Sequence, residues 1–474
     1  MRNLTLMTDF YELTMMNGYL RCGMADKLAV FDVFYRGSGG YSYAIAAGLE
    51  QVIDLIENLH FDQSDLDYLS SLKTFDESFI NELSKLKFTG SIKAVPEGTM
   101  VFPNEPILSV KARLFEAQLV ETAILTLLNH QTLIATKAAR LCECTKANIM
   151  EFGLRRAQGP DAGIYGARAA YIGGCRTTSN SMSGKMFGIG LSGTHAHSWV
   201  MSFPDELTAF REYAKTYPDK CMLLVDTYNT LKSGVPNAIK VFDELKAKGY
   251  QPIGIRLDSG DIAYLSKKAR IMLDEAGHSD LKICASGDID EDILLALGAQ
   301  EAKIDIYGIG TKLITSYGNP SLGGVYKLSA IEDNGKLIPK MKISNSAEKN
   351  TNPGEKKLVR LYDRKSGMAE ADLICLSSDF IDESKPLTIF DPVATWKKTT
   401  LENFKAVELL QDIYKDGKLI YNMPSLAEIG KHADESKNAF YPEYRRVVNT
   451  QNYKVDLSDS LFELKNNLLH NMGQ

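Results

Sequence analysis

From about residue 148 the chain repeats one pattern: a short apolar run, then a cluster of glycine, charged or hydroxyl side chains, then a helical segment. The runs are Ile149 to Gly153, Phe187 to Leu191, Met222 to Asp226, Ile253 to Asp258, Ile283 to Asp288 and Ile304 to Gly308. Consecutive rather than alternating apolar positions mark strands buried on both faces, and helices between them supply the crossovers that parallel strands require. Residues 237–248 and 261–276 are two such helices. Spacings of roughly 20 to 40 residues between runs predict an irregular β/α barrel of TIM type, with its active site at the C-terminal strand ends. The polar clusters fall at those ends.

Outside this region the pattern changes. Phe31 to Tyr35 alternates like a strand and runs into a loop holding Gly37, Gly39 and Gly40. Residues 46–90 carry helical periodicity, as in Leu49, Val52, Leu55 and Ile56. Short strands are expected over 92–110, around turns at Pro96-Glu97-Gly98 and Pro103-Asn104-Glu105-Pro106. Residues 116–147 predict a long helix, apolar nearly all round and so buried between layers. Beyond about 325 come strands and turns (Asp333-Asn334-Gly335, Asn352-Pro353-Gly354), and two helices finish the chain. The expected architecture is α/β: an α+β domain built from residues 1–115 with 330–474, and a β/α barrel over 116–329.

The chain has 474 residues, enough for two or three domains and a large core. Its net charge of -6, with no Lys/Arg run, speaks against a nucleic-acid partner. The opening residues lack the pattern of a secretory signal. The most apolar stretch, Leu119 to Ala135, is broken by Glu121, Asn129, His130 and Gln131, so no membrane span is expected. Seven dispersed cysteines suit reduced thiols and a cytoplasmic location. The Cys142-x-Cys144 pair reads as buried helix packing rather than a metal site.

Several clusters carry chemistry. Gly188 to Gly193 matches G-x-G-x-x-G, but it sits mid-chain and runs into Thr194-His195-Ala196-His197 instead of opening a long helix, so it is a weak dinucleotide signal. On a strand, His195 and His197 would point to one side, as two ligands of a metal site must, but the other histidines do not fall at strand ends, which favours one catalytic histidine with a structural neighbour over a metal pair. Ser286-Gly287-Asp288 and Gly308-Ile309-Gly310-Thr311 end adjacent apolar runs, and glycines there admit close approach of backbone amides to a phosphate. Arg256, Asp258, Ser259, Gly260 and Asp261 share one strand end. The arginine fork suits a carboxylate or phosphate, and the aspartates suit Mg²⁺ or ribose hydroxyls. Asp226 ends another strand and joins them; surface ion pairing and plain tight turns are the alternatives.

Five segments in order together resemble the nicotinate phosphoribosyltransferases: Leu6 to Met15, Glu151 to Pro160, Gly193 to Ser198, Ile255 to Gly260, and Gly308 to Thr311. The resemblance implies transfer of a phosphoribosyl group from phosphoribosyl pyrophosphate to nicotinate, forming nicotinate mononucleotide and pyrophosphate in NAD salvage. It further implies Mg²⁺, and ATP as co-substrate through a phosphohistidine, a ligase-type reaction of EC class 6.3.4. By motif position the phosphorylated histidine is His197. Tyr11 is expected to stack on the pyridine ring from the partner subunit of a homodimer, with Phe152 on the other face. Arg155 and Arg256 then meet substrate anions, Arg256 the nicotinate carboxylate. Asp226 and Asp258 lie near ribose, pyrophosphate and Mg²⁺, while Ser286, Gly287, Gly308, Gly310 and Thr311 cradle the 5′-phosphate.

One departure is Cys175-Arg176, where the family pattern has Phe-Asp. Cys375 stands apart from the other cysteines, so no structural zinc is expected. The related nicotinamide phosphoribosyltransferases place an aspartate beside the substrate amide, and Arg176-Thr177-Thr178 offers none. That favours the acid, because a carboxylate beside an aspartate suffers like-charge repulsion. The alternatives are the nicotinamide enzyme, a quinolinate-using relative, or a catalytically silent ligand-binding protein on the same fold.

Overall fold

The computed structural model describes residues 3–37, 41–345 and 349–472. Gly39 and Gly40 of the expected glycine loop lie outside the described residues. The chain divides into two compact units, one of Met1–Leu133, Ser321–Arg445 and Asn449–Gln474, the other of Ile134–Pro320 and Arg446–Val448. No helix among the described residues is long and apolar enough to cross a membrane.

The first unit is α+β. Leu28–Tyr35, buried at nearly every position, is an inner strand of a seven-stranded sheet. It pairs antiparallel with Leu108–Arg113 on one side and Gly324–Asp333 on the other, so segments far apart in sequence share one sheet. A four-stranded sheet contains Lys356–Asp363 and Ala369–Leu376. The helical periodicity of 46–90 resolves into three helices, Leu49–Glu57, Gln63–Ser71 and Glu77–Leu83. Asp62 and Asp76 cap the last two by accepting backbone N–H bonds. The single long helix expected over 116–147 is instead two, Leu114–Leu119 and Glu121–Glu143.

The N-terminal motif has two kinds of residue. The Glu12 side chain is fully buried and accepts from Thr122 through both its N–H (3.1 Å) and hydroxyl (2.6 Å), and from the Thr8 hydroxyl. Burial pushes its carboxyl up to about 7. These bonds anchor helix Phe10–Arg21, while Phe10 and Tyr11 stand about half exposed at its start. The motif thus fixes a helix and presents two rings.

The second unit contains seven short strands, labelled here β1 (Asn148–Glu151), β2 (Thr177–Thr178), β3 (Gly190–Leu191), β4 (Met222–Leu224), β5 (Gly254–Leu257), β6 (Lys282–Gly287) and β7 (Ile306–Ile309). Their spatial order is β3-β2-β1-β7-β6-β5-β4, with every neighbouring pair parallel. The chain starts mid-sheet, builds to one edge, crosses to the other, and returns until β7 pairs with β1. Among the described residues β3 and β4 share no ladder, so the curled sheet is a parallel half-barrel rather than a closed ring.

Both faces of this sheet are covered, which explains the continuous apolar runs. Leu223, Val225, Ile255, Leu257 and Ile283 pack with Phe210, Phe242 and Leu273 of the surrounding helices. The alternate residues Met150, Met222 and Cys284 turn to the opposite face and meet Phe152 and Ile306. Only Gly190–Leu191 of the expected strand 187–191 is extended. Ser181–Phe187 is a helix, because the Asn180 side chain caps its start and Gly188, at φ +69°, ends it in a left-handed turn.

Candidate active site

The inner face of the half-barrel is layered. On its floor, Cys284 of β6 pairs in register with Ile306 of β7, beside Met150 and Met222. One rung towards the C-terminal ends, Ser286 stands opposite Gly308. Polar and glycine positions therefore begin where the apolar floor stops, because side chains on one face recur every second residue.

Phe152 follows β1, and its ring lies against Gly308. A Cβ at 308 would come within 2.6 and 2.7 Å of two ring carbons, and one at Gly310 within 2.9 Å of the Phe152 carbonyl oxygen. Glycine at both positions lets the aromatic wall lie on the strand. The turn carrying Phe152 is tied down from behind by Glu151, whose carboxylate accepts the Gly153 N–H and the Thr178 hydroxyl. Burial raises the pKa of Glu151.

The charged residues gather at the ends of β4 to β6. Arg256 of β5 donates from Nη1 to the Thr194 hydroxyl (2.7 Å), while its buried Nε has no partner. Asp226, just past β4, accepts at one oxygen from the Asp258 N–H (2.9 Å) and the Ser259 hydroxyl (2.6 Å). Its other oxygen is buried without a donor. Asp258 accepts from the Ser286 hydroxyl, which joins β5 to β6 across the strand ends. Gly287 adopts φ +123°, where a Cβ would lie 3.2 Å from the Asp258 carbonyl oxygen.

The two histidines do not act as a pair. His195 is buried; its Nε2 accepts the Leu224 N–H (3.2 Å), and its ring stands edge-on to Tyr213. Burial lowers its pKa to about 4, so it is a neutral acceptor supporting β4. His197 opens the short helix His197–Met201, with Nδ1 hydrogen-bonded to Thr227 (3.1 Å) and Nε2 3.7 Å from Asp258. The strand that would aim both rings to one side is absent: His195 sits in a loop, and two residues later His197 begins a helix. No cluster of three metal-ligating side chains occurs among the described residues.

Asp226, Arg256, Asp258, Ser286 and Gly287 thus lie at neighbouring strand ends, His197 reaches them from its helix, and Phe152, Gly308 and Gly310 stand at the ends of β1 and β7. Arg155 is exposed on the turn Leu154–Arg156, and Thr311 begins the four-residue helix Thr311–Ile314. Tyr11 belongs to the other unit. Thr194, Thr227 and Glu151 were not singled out by sequence. Their one signal is a polar residue inside or beside an apolar run, and hydroxyl side chains are too common for that to identify a partner.

Cys175 is buried and hydrogen-bonded to Cys142, a contact that raises its pKa, with burial adding to it. Arg176 turns to the Tyr171 carbonyl oxygen and ring. The Cys142-x-Cys144 expectation changes accordingly: both are half-buried, and Cys144 lies just past the helix end.

Models of the nicotinate phosphoribosyltransferase N-terminal and C-terminal domains match residues 6–129 and 355–465. The nicotinate phosphoribosyltransferase of Bacillus subtilis is 47% identical over 99% of this chain and 96% of its own. The chain belongs to the nicotinate phosphoribosyltransferase family. The human family member is 32% identical, covering 98% of this chain and 96% of its own. The crystal structure of human nicotinic acid phosphoribosyltransferase superposes with a TM-score of 0.84 at 31% identity, over 98% of this chain and 99% of that one. A nicotinate-nucleotide pyrophosphorylase from Pyrococcus furiosus shares the fold at 20% identity, with a TM-score of 0.71 over 92% and 96% of the two chains.

Proposed function

We propose that this chain converts nicotinate and phosphoribosyl pyrophosphate to nicotinate mononucleotide and pyrophosphate, a step of NAD salvage, with ATP hydrolysis coupled through phosphorylation of His197. The observations carrying this reading are two features at the C-terminal strand ends of the half-barrel: a flat aromatic wall, Phe152 against Gly308, and the Arg256 guanidinium, whose Nε is unpartnered. A planar anionic ring satisfies both. Phe152 takes one ring face, Tyr11 of a partner subunit the other, and Arg256 the carboxylate, with Arg155 assisting substrate anions. This makes the enzyme a homodimer with shared sites.

The ring nitrogen's lone pair attacks the sugar C1 as the bond from C1 to pyrophosphate breaks, and no proton moves. Positive charge develops on the sugar, so positioning and fixed carboxylates do most of the catalysis. Asp226 and Asp258 face ribose and pyrophosphate. The unpartnered oxygen of Asp226 fits a hard divalent cation, so Asp226 joins Asp258 as a candidate Mg²⁺ ligand. Bound there, Mg²⁺ would neutralise charge on the departing pyrophosphate. Ser286, Gly287, Gly308, Gly310 and Thr311 hold the 5′-phosphate, using backbone approach that glycine permits. Thr227 orients the His197 ring. The phosphoribosyl-transferring part is the β/α region 116–329, with 1–115 and 330–474 as the accompanying α+β domain, in a cytoplasmic protein.

The test follows product formation from nicotinate, phosphoribosyl pyrophosphate and Mg²⁺, with and without ATP, for wild type and His197→Ala. The expected result is stimulation by ATP that the variant loses while keeping its fold. An equal ATP response in both would reject the phosphohistidine assignment.

A further inference from the structure

The first unit contains a cavity of about 200 Å³ that none of this chemistry uses. Its walls include Asp32 on Leu28–Tyr35, Lys356 at the start of Lys356–Asp363, Lys465 on the last helix, and Asn352, with Phe34 and Val393 among the apolar residues. Its volume equals roughly seven waters at about 30 Å³ each, enough for a small organic molecule.

The polar groups of this cavity are unevenly satisfied. Asp32 is only 4% exposed. One carboxylate oxygen pairs with Lys356 at 2.7 Å; the other is buried and has no donor. Lys356 is saturated, because it also donates to the carbonyl oxygens of Asn352 (2.8 Å) and Gly354 (2.6 Å). Lys465 donates to the Asn352 side chain (2.8 Å) and meets no carboxylate among the described residues, so further donor capacity remains. Burial, with Lys356 nearby, lowers its pKa. Two ammonium groups and one carboxylate leave a positive excess, together with one free acceptor. A buried carboxylate oxygen left without a donor is destabilising, so a group that donates to it is favoured there.

We propose that this cavity binds a small hydroxylated organic anion: Lys465 takes an anionic oxygen, and the free oxygen of Asp32 accepts from a hydroxyl of the same molecule. A hydroxy acid and a polyol phosphate ester share that chemistry. The site lies outside the residues assigned to phosphoribosyl transfer, so its occupancy is separable from turnover.

The test is calorimetric titration of the full chain with glycerate and with glycerol 3-phosphate, beside two half-ligands, glycerol and propionate. Saturable binding of at least one hydroxylated anion is expected, tighter than either half-ligand. Lys465→Met keeps the stem and removes the charge; it should weaken binding about tenfold to a hundredfold while leaving nicotinate turnover unchanged. Asp32→Asn should narrow the preference for the hydroxylated anion over propionate; if that variant fails to fold, Lys465→Gln supplies the second reading. Trp396, one of two tryptophans and on the same turn as Val393, gives a local fluorescence signal. Saturation by neither anion, equal binding to Lys465→Met, or binding of glycerol or propionate as tight as the hydroxylated anions would each overturn the proposal.

Discussion

Gly308→Ala adds one methyl group where the aromatic wall meets the strand. Its Cβ would stand 2.6 Å from one Phe152 ring carbon and 2.7 Å from the next. Carbon atoms in good contact lie about 3.5–4.0 Å apart, so the ring has to retreat by about 1 Å. Residue 308 is in a strand without positive φ, so the perturbation is steric only. Overpacking of this kind costs about 1–3 kcal/mol of stability. A 1 Å error in substrate placement costs about 100-fold in rate, equivalent to ~2.7 kcal/mol of transition-state stabilisation. Thermal unfolding and steady-state kinetics with nicotinate separate the two effects: a fall of that order in kcat/KM is expected in a protein that still folds. The Phe152→Ala background removes the opposing ring, so adding Gly308→Ala there should cost far less than in wild type. Unchanged kcat/KM in Gly308→Ala, or full additivity of the two substitutions, would refute the proposed wall.

Two further outcomes follow from buried carboxylates. Burial raises Glu12 from 4.5 to about 7, so the folded state holds its proton more tightly than the unfolded chain. Its stabilising contribution is complete below about 4.5 and falls away as pH rises towards 7, by on the order of 1–3 kcal/mol; Glu12→Gln should flatten that slope in denaturant titrations, and an identical slope would contradict the assignment. Asp226→Asn keeps an oxygen to accept from Asp258 and Ser259 but loses the charge, so unfolding temperature should hold while turnover falls and needs more Mg²⁺; an unchanged Mg²⁺ dependence would remove Asp226 from the cation site.

Much of the half-barrel was legible because buried parallel strands leave continuous apolar runs, as in Met222 to Val225 and Ile283 to Ala285. The exceptions have physical causes. Thr177–Thr178 is too short and too polar to give a run, and the run Phe187 to Leu191 misplaces its strand, because the cap at Asn180 makes its first residue helical and leaves only Gly190–Leu191 in the sheet. The strand order was not legible, because the pairing of β7 with β1 joins residues 158 positions apart and leaves no local trace. At the site, Arg256, Asp226, Asp258 and His197 stood out as charged or titratable residues at run ends. The inward turn of His195 did not, because it depends on a backbone N–H of β4 that no spacing records. Thr194 and Thr227 matter only through what they touch.

The most direct measurement compares kcat/KM for nicotinate with that for nicotinamide in wild type and Arg256→Ala. Loss of a charge-assisted pair to the carboxylate is worth about 1.5–3 kcal/mol, or roughly tenfold to 150-fold. Wild type should prefer the acid strongly, and Arg256→Ala should lose that preference mainly through KM for nicotinate. Equal use of both substrates by wild type, or a preference that survives in Arg256→Ala, would contradict the assignment of Arg256 to the nicotinate carboxylate.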